Sequence, residues 1–417
     1  MLNIQKKISN SFLIILSLPS TAMGFALSIQ ISALSWILST HYKLDIHEVG
    51  LVWAAGPLAG IFGQVIIGLV SDKVWFWNGR RRPFILIGGA LAATMLWALP
   101  NLDVIRHALG LESILLIAII VALTLDIAIN ISFNPTRSII ADVTPEGRNR
   151  TRGYTWMQTI SGFFGVLAYL IGALTDKYVL IYSGIFLVFA FSVIPPLLIT
   201  EPRDLKNIEN GDSNPLRSDN HQKELIKIYL AHAFTWLGVQ TMFVYTFAYL
   251  QYTMSDLDDR QMGIVIDIAF AVLNTVGFIL PALILEPLAR RIGQVKTHTL
   301  CIAVMAGAYL AIALIGTTPT SFYILMAFAG VGWAATVSLP FAIMTERVDK
   351  SKMGFFMGIF NLSVVIPQLV VSLGFGSIIQ SNENKTLIFI ICAISLGISA
   401  VLWRFVSETA TENKNTV

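Results

Sequence analysis

Residues 113–142 read SILLIAIIVALTLDIAINISFNPTRSIIAD. About 20 predominantly apolar residues cross a hydrocarbon core of ~30 Å as a helix, and this run is longer than that. Between its first residue and Asp142 it carries two charges, Asp126 and Arg137. Ionisable groups in hydrocarbon are costly and normally face a cavity or a partner. Asp126, Asn130, Asn134 and Arg137 follow one another at spacings of four, four and three. At 100° per residue they fall within about 80° of arc, with Asp126 and Arg137 about 16 Å apart along the axis. That separation is too great for a simple ion pair, so one face of the helix is expected to line a polar cavity. Pro135 permits a kink beside it.

The rest of the chain resembles this stretch. Of 417 residues, 55% are hydrophobic and 13% charged, about half the ~25% charged share of a soluble domain, and mean hydropathy is +0.71. Apolar runs recur at approximately 11–40, 47–71, 83–101, 112–142, 154–176, 178–200, 223–252, 262–289, 297–317, 320–345, 353–380 and 385–406. These predict an all-α membrane protein of about twelve spans. Lys6 and Lys7 precede an apolar stretch, but it continues to Leu38, too long for a cleaved leader, so a retained first span is expected. Cys301 and Cys392 lie inside spans, which argues against disulfides and a cysteine metal site. Neither a phosphate-binding glycine loop nor a nucleophile constellation is present, so an enzyme, a cofactor and a metal are not expected. Nucleic-acid binding has no support in the charge pattern.

Cytoplasmic loops carry an excess of Lys and Arg, and the loops separate sharply by that measure. Of 28 Lys and Arg residues, 22 fall on the side of both termini and of the stretch 201–222. Lys43, Arg106, Lys177, Arg260 and Lys385 fall on the other, and Arg137, inside the fourth span, is the one base left over. Both termini are therefore expected in the cytoplasm. Short loops suggest a bacterial inner membrane. The polar stretch 201–222 reads as a linker between a six-span bundle at 1–200 and a second at 223–417.

The two halves echo each other, as in transporters built from repeats. Asp72 and the run Arg80, Arg81, Arg82 follow the second span; Glu286, Arg290 and Arg291 follow the eighth. Asp142 and Glu346 close the fourth and tenth spans. Acids and bases at these cytoplasmic helix ends are candidate gating residues that pair in one state and part in another, the alternative being charges that only set topology.

Asp126 is the candidate proton carrier, with a structural ion pair as the alternative. Asp267, near the outer end of the eighth span, is the second candidate, the alternative being a place in the membrane interface. Gln30, Trp53, Gln64, Asn130, Arg137, Trp236, Gln240, Trp333, Asn361 and Gln368 are candidate substrate contacts. Amides and indoles suit a ligand with hydroxyl edges and apolar faces, and only the set as a whole carries weight. Drug export and nontransporting sugar sensing remain alternatives at this level.

Three motifs narrow the choice. Gly358-Ile-Phe-Asn361-Leu-Ser-Val-Val-Ile-Pro367-Gln368 resembles the G-x-x-N-L-x-x-V-I-P-Q segment of the sucrose/proton symporters. Gly56-Pro57-Leu58-x-Gly60 with Gln64, Gly68, Ser71, Asp72 and Gly79-Arg80-Arg81-Arg82-Pro83 is similar to that family's second-span and loop signature, and the Asp126, Asn130, Arg137, Asp142 spacing matches its fourth span. The chain thus resembles the sucrose/proton symporters of the glycoside-pentoside-hexuronide cation symporter group in the major facilitator superfamily. The resemblance implies the major facilitator fold, with a sugar site between two six-helix bundles, and proton-coupled uptake of sucrose or a related glucoside such as maltose. It casts Asp126 as the coupling acid and Arg137 as an essential cavity residue. The partners implied are the sugar, protons and the lipid bilayer, with the chain acting as a monomer. The seventh span lacks the acid that plant members carry after their Trp-x-x motif.

Overall fold

In a computed structural model, which describes residues 8–61, 74–144, 148–201, 219–348 and 353–408, the chain is built of helices. A bridge between Phe76 and Gly79 is the only strand-like pairing among the described residues. The helices are α1 (Asn10–Thr40), α2 (Ile46–Trp53), α3 (Arg82–Ala98), α4 (Leu102–Leu109), α5 (Ile114–Val143), α6 (Arg148–Leu174), α7 (Lys177–Leu198) and α8 (Asp219–Thr253). They continue as α9 (Asp259–Leu280), α10 (Glu286–Ile292), α11 (Gln294–Ile315), α12 (Pro319–Thr345), α13 (Met353–Val370), α14 (Gly376–Ser381) and α15 (Leu387–Trp403). Among the described residues, nine helical segments are long and apolar enough to cross a membrane. The second and twelfth spans appear as shorter apolar helices, Ile46–Ile61 and Leu387–Trp403. The seventh, α8, has 35 residues, its apolar run diluted by His232, Trp236, Gln240 and Tyr245.

Short polar residues start the helices where the sequence leaves hydrocarbon. Ser9, Ser113 and Asp176 each accept from a backbone N–H in the first turn of α1, α5 and α7. Asp45 and Glu48 form a reciprocal capping box on α2. Two π turns, Pro281–Leu285 and Val371–Phe375, interrupt the eighth and eleventh spans.

The chain divides into two compact units. The first takes residues 1–209 together with 243–271 and 368–385. Within it α1 packs on α6 and α7, and α3 on α5 and α7. Glycines allow the close approaches of α3: a Cβ on Gly88 would collide with Ser132 Oγ, and one on Gly89 with the Ser192 Cβ. The second unit takes 210–242, 272–367 and 386–417, with α11 against α12 and α15.

Each unit has a core of buried apolar side chains, and the two are built from corresponding spans. Phe12, Leu13, Leu16, Ile85, Ile139, Ile140, Met157 and Ile199 form the first. Leu225, Ile228, Ala231, Val295, Ile343, Met344, Trp403 and Val406 form the second. First, third, fourth and sixth spans of each half meet in it. Large apolar side chains such as Leu174, Phe186, Leu283 and Leu314 are exposed on the long helices, as contact with hydrocarbon requires.

Candidate functional site: two buried acids and an aromatic chain

The charged loop after the second span is organised by a residue outside it. Gly79 brings the chain to within 2.6 Å, measured from a Cβ built on it, of Glu201 Oε1. The Glu201 carboxylate accepts from the backbone N–H groups of Arg80, Arg81 and Arg82 at 2.9, 2.8 and 2.7 Å. It thereby caps the start of α3, which has no side-chain cap from its own N-cap residue. Arg81 turns inward, its Nε 3.1 Å from Asp142 Oδ2. The second unit repeats this. Glu408 lies over Gly293, whose φ of +99° few other residues adopt, and accepts from the N–H groups of Val295 and Lys296 at 3.2 and 2.8 Å. Gln294 Nε2 donates to Glu346 Oε1 at 2.8 Å, in the place of Arg81 and Asp142. Of the other gating candidates, Glu286 and Arg290 pair within one turn of α10, both well exposed, and Arg291 extends from the same helix. Asp72 and Gln64 lie outside the described residues. Glu201 and residues 219–222, which the sequence assigns to the linker, are a helix cap and the first turn of α8.

Asp126 is 5% exposed. The hydrogen bond to its carboxylate comes from Gln30 Nε2 at 3.0 Å. Gly56 packs against it, a Cβ there falling 3.4 Å from Oδ2. Asn130, one turn on, donates its amide to the Asp126 backbone carbonyl at 2.8 Å. Among the described residues, Asp126 has no ion pair. Arg137, exposed, lays its guanidinium over its own helix neighbour Phe133, 4.1 Å from the ring centroid, and accepts at its backbone carbonyl from the Tyr154 hydroxyl. The two charges of α5 are therefore separate.

Asp267 has a different environment. It is fully buried, and its Oδ1 is 2.6 Å from the Lys177 Nζ, itself 3% exposed. Ser32 donates to the same oxygen and accepts from Lys177 at 2.8 Å. The carboxylate presses on Gly172, where a Cβ would collide with Oδ2. Around it, Trp36 Nε1 donates to the Asp259 carbonyl at 2.7 Å and Arg260 to the Thr175 carbonyl at 3.4 Å. So α1 holds both buried acids, Gln30 binding one and Ser32 the other from positions about 200° apart around the helix. Trp53 also reaches α1, donating to Ser35 Oγ at 2.8 Å, and Ser35 donates to the Val244 carbonyl.

In the second unit the predicted indoles meet. Trp236 and Trp333 stand edge-on, centroids 6.2 Å apart, and Trp333 Nε1 donates to Asn274 at 3.3 Å. Both rings and Asn361 are half-buried, and Gln240 is buried. Gln368, half-buried, belongs to the first unit.

Four residues that organise these sites are absent from the sequence-level candidates. Lys177 counts there as one of five outer loop cations, although it is the single residue between the fifth and sixth apolar runs. Glu201 and Glu408 share a signal visible by aligning the halves, Ile199-Thr200-Glu201 against Val406-Ser407-Glu408. His232 lies one turn before Trp236.

Comparison with known proteins agrees with this architecture. The chain is 28% identical over 407 residues to the sucrose transport protein SUT2 of Oryza sativa subsp. indica, covering 78% of each. It is 22% identical over 447 residues to sucrose transport protein SUC4 of Arabidopsis thaliana, covering 89% of this chain and 85% of that one. A general alpha-glucoside permease of Schizosaccharomyces pombe matches at 30% over 177 residues, 38% of this chain and 32% of the permease. The fold superposes on the nucleoside transporter NupG with a TM-score of 0.70 at 15% identity, covering 95% of this chain and 98% of NupG. It also superposes on the xylose transporter XylE from E. coli with a TM-score of 0.68 at 16% identity, covering 96% of this chain and 97% of XylE. Residues 16–372 match the Major Facilitator Superfamily, and the chain belongs to that family.

Proposed function

We propose that this protein is a secondary transporter that carries sucrose or a related glucoside across a membrane together with a proton, by alternating access. The observation that carries the reading is Asp126: a buried carboxylate on a membrane-spanning helix, hydrogen-bonded by the neutral amide of Gln30 and lacking an ion pair among the described residues. Such an acid can exist neutral or charged as its surroundings change, which a coupling group requires. Asp267, the second candidate, has Lys177 and Ser32 as fixed partners and would take part only when that cluster opens. The likeness to sucrose transport proteins supports a sugar as substrate. Asn130 and Arg137 on α5 and the indoles of Trp236 and Trp333 are its proposed contacts. The excess of Lys and Arg on one side supports cytoplasmic termini, and the short loops a bacterial inner membrane, where the chain acts as a monomer.

Uptake of labelled sucrose and maltose into vesicles with an imposed proton gradient tests the reading. Accumulation that collapses with the gradient is the expected result. Accumulation driven by sodium instead defeats the proton half. Drug resistance on expression without sugar uptake would indicate an exporter, and sugar binding without counterflow a sensor.

A further inference from the structure

Phe360, His232, Trp236, Trp333 and Asn274 form a continuous chain of ring and hydrogen-bond contacts inside the second unit. The imidazole of His232 stacks on Phe360 with centroids 4.8 Å apart and planes 12° apart. Its Nε2 is 2.9 Å from Trp236 Nε1. Trp236 meets Trp333 edge to face at 6.2 Å. Trp333 donates to Asn274 Oδ1 and lies over Gly277, where a Cβ would come within 2.6 Å of the indole. The far end of this chain is thus fixed by packing and the near end by His232.

An indole N–H is a donor only, so the His232 Nε2 in this bond is the unprotonated nitrogen and Nδ1 bears the hydrogen. That Nδ1 is buried and has no hydrogen-bond partner among the described residues. A buried donor without an acceptor costs free energy. Phenylalanine would stack on Phe360 equally well without that cost, so stability of the fold does not account for a histidine here. What histidine supplies and phenylalanine lacks is an acceptor one helical turn before Trp236. His232 is 2% exposed, so the bond directs the indole N–H at a buried group, while Trp236 as a whole residue stays half-buried.

We infer that His232 is a positioning residue that fixes the Trp236 indole so that its ring surface, rather than its N–H, meets the substrate. The ligand chemistry that this arrangement fits is the C–H face of a pyranose ring. This rests on the sugar-transport reading above, since it assigns the ring to the same substrate.

The test uses the full-length protein with three substitutions. His232→Phe keeps the stacking and removes the acceptor. His232→Gln places an amide oxygen near the position of Nε2. His232→Asn places one near Nδ1, out of reach of Trp236. In reconstituted vesicles, His232→Phe and His232→Asn are expected to raise KM for sucrose about three- to tenfold, as loss of one net hydrogen bond's worth of positioning implies. Vmax should be retained, His232→Gln should restore KM, and His232→Phe should melt no lower than wild type. A wild-type KM in His232→Phe, or a His232→Gln variant as impaired as His232→Phe, overturns the inference. The indole 1H–15N resonance of Trp236, identified by its loss in Trp236→Phe, gives a readout that needs no sugar. It should shift in His232→Phe and stay in place in His232→Gln. If wild-type protein takes up neither sucrose nor maltose, the transport reading fails on its own, and an unshifted resonance in His232→Phe separately overturns the positioning role.

Discussion

Lys177 Nζ lies 2.6 Å from Asp267 Oδ1, and both side chains are buried. Removing one member of a buried pair leaves an uncompensated charge, which typically costs about 3–5 kcal/mol, whereas replacing both with apolar residues can be neutral. Lys177→Met and Asp267→Leu should each lower the melting temperature of the purified protein, and the double substitution should recover most of the loss. Thermal unfolding followed by tryptophan fluorescence measures this. Single losses that simply add in the double variant would mean that the two charges are not coupled.

The glutamate caps at Gly79 and Gly293 predict matched effects in the two units. Glu201→Ala and Glu408→Ala should each cost about 0.5–2 kcal/mol, the usual range for loss of a helix N-cap. Gly293→Ala should cost more than Glu408→Ala. It forces an L side chain into φ +99° and drives its Cβ against Glu408 Oε1. Melting curves of the three variants provide the comparison, and a Gly293→Ala protein as stable as wild type would contradict the close approach.

Asp126→Asn should abolish uphill accumulation of sugar while leaving exchange of internal for external sugar, because the amide keeps the shape and the bond to Gln30 but cannot release a proton. Counterflow and gradient-driven uptake in the same vesicles separate the two. Normal accumulation would make Asp126 structural. Arg137→Lys should also transport poorly, since an ammonium does not reproduce the guanidinium fork.

Tyr42, in the connection between α1 and α2, predicts a response at high pH. Its hydroxyl donates to the Leu99 carbonyl at 3.1 Å and accepts from the Leu102 N–H at 2.9 Å. Burial, only partly offset by the Leu102 bond, pushes its pKa up from 10.0 to about 12. The neutral phenol is therefore favoured more in the folded than in the unfolded chain. Its contribution is complete below pH ~10 and is lost as pH rises through about 12. Ultraviolet titration of the native protein should show one phenolate, absent in Tyr42→Phe, appearing near pH 12. Appearance of that phenolate near pH 10 would show the hydroxyl to be solvated.

Much of this is legible without coordinates because the bilayer imposes long-range regularity on a sequence. Apolar runs of span length, the sorting of cations between loops and the isolation of Asp126 and Arg137 all follow from the cost of placing charge in hydrocarbon. Arg81 and Asp142, both placed by the sequence at helix ends on the Lys- and Arg-rich side, do pair in the structure. Lys177 sorts with the loops because a lysine between two spans ordinarily sits in water. Its burial depends on Asp267, 90 residues away, and no local pattern announces that partner. A helix cap supplied from a distant segment likewise leaves no signal in the helix it caps, so Glu201 and Glu408 show only through the repeat of Ile199-Thr200-Glu201 as Val406-Ser407-Glu408.

Composition and helical period alone establish a membrane protein of about twelve helices whose fourth span carries an acid and a base on one face. Which partner each polar group receives is a matter of packing. Asp126 faces an amide and Asp267 a lysine because α1 passes between them, Gln30 on one side and Ser32 on the other. In a low-dielectric interior the nearest partner sets what a charge can do, and that neighbour is chosen by how the helices pack rather than by sequence distance.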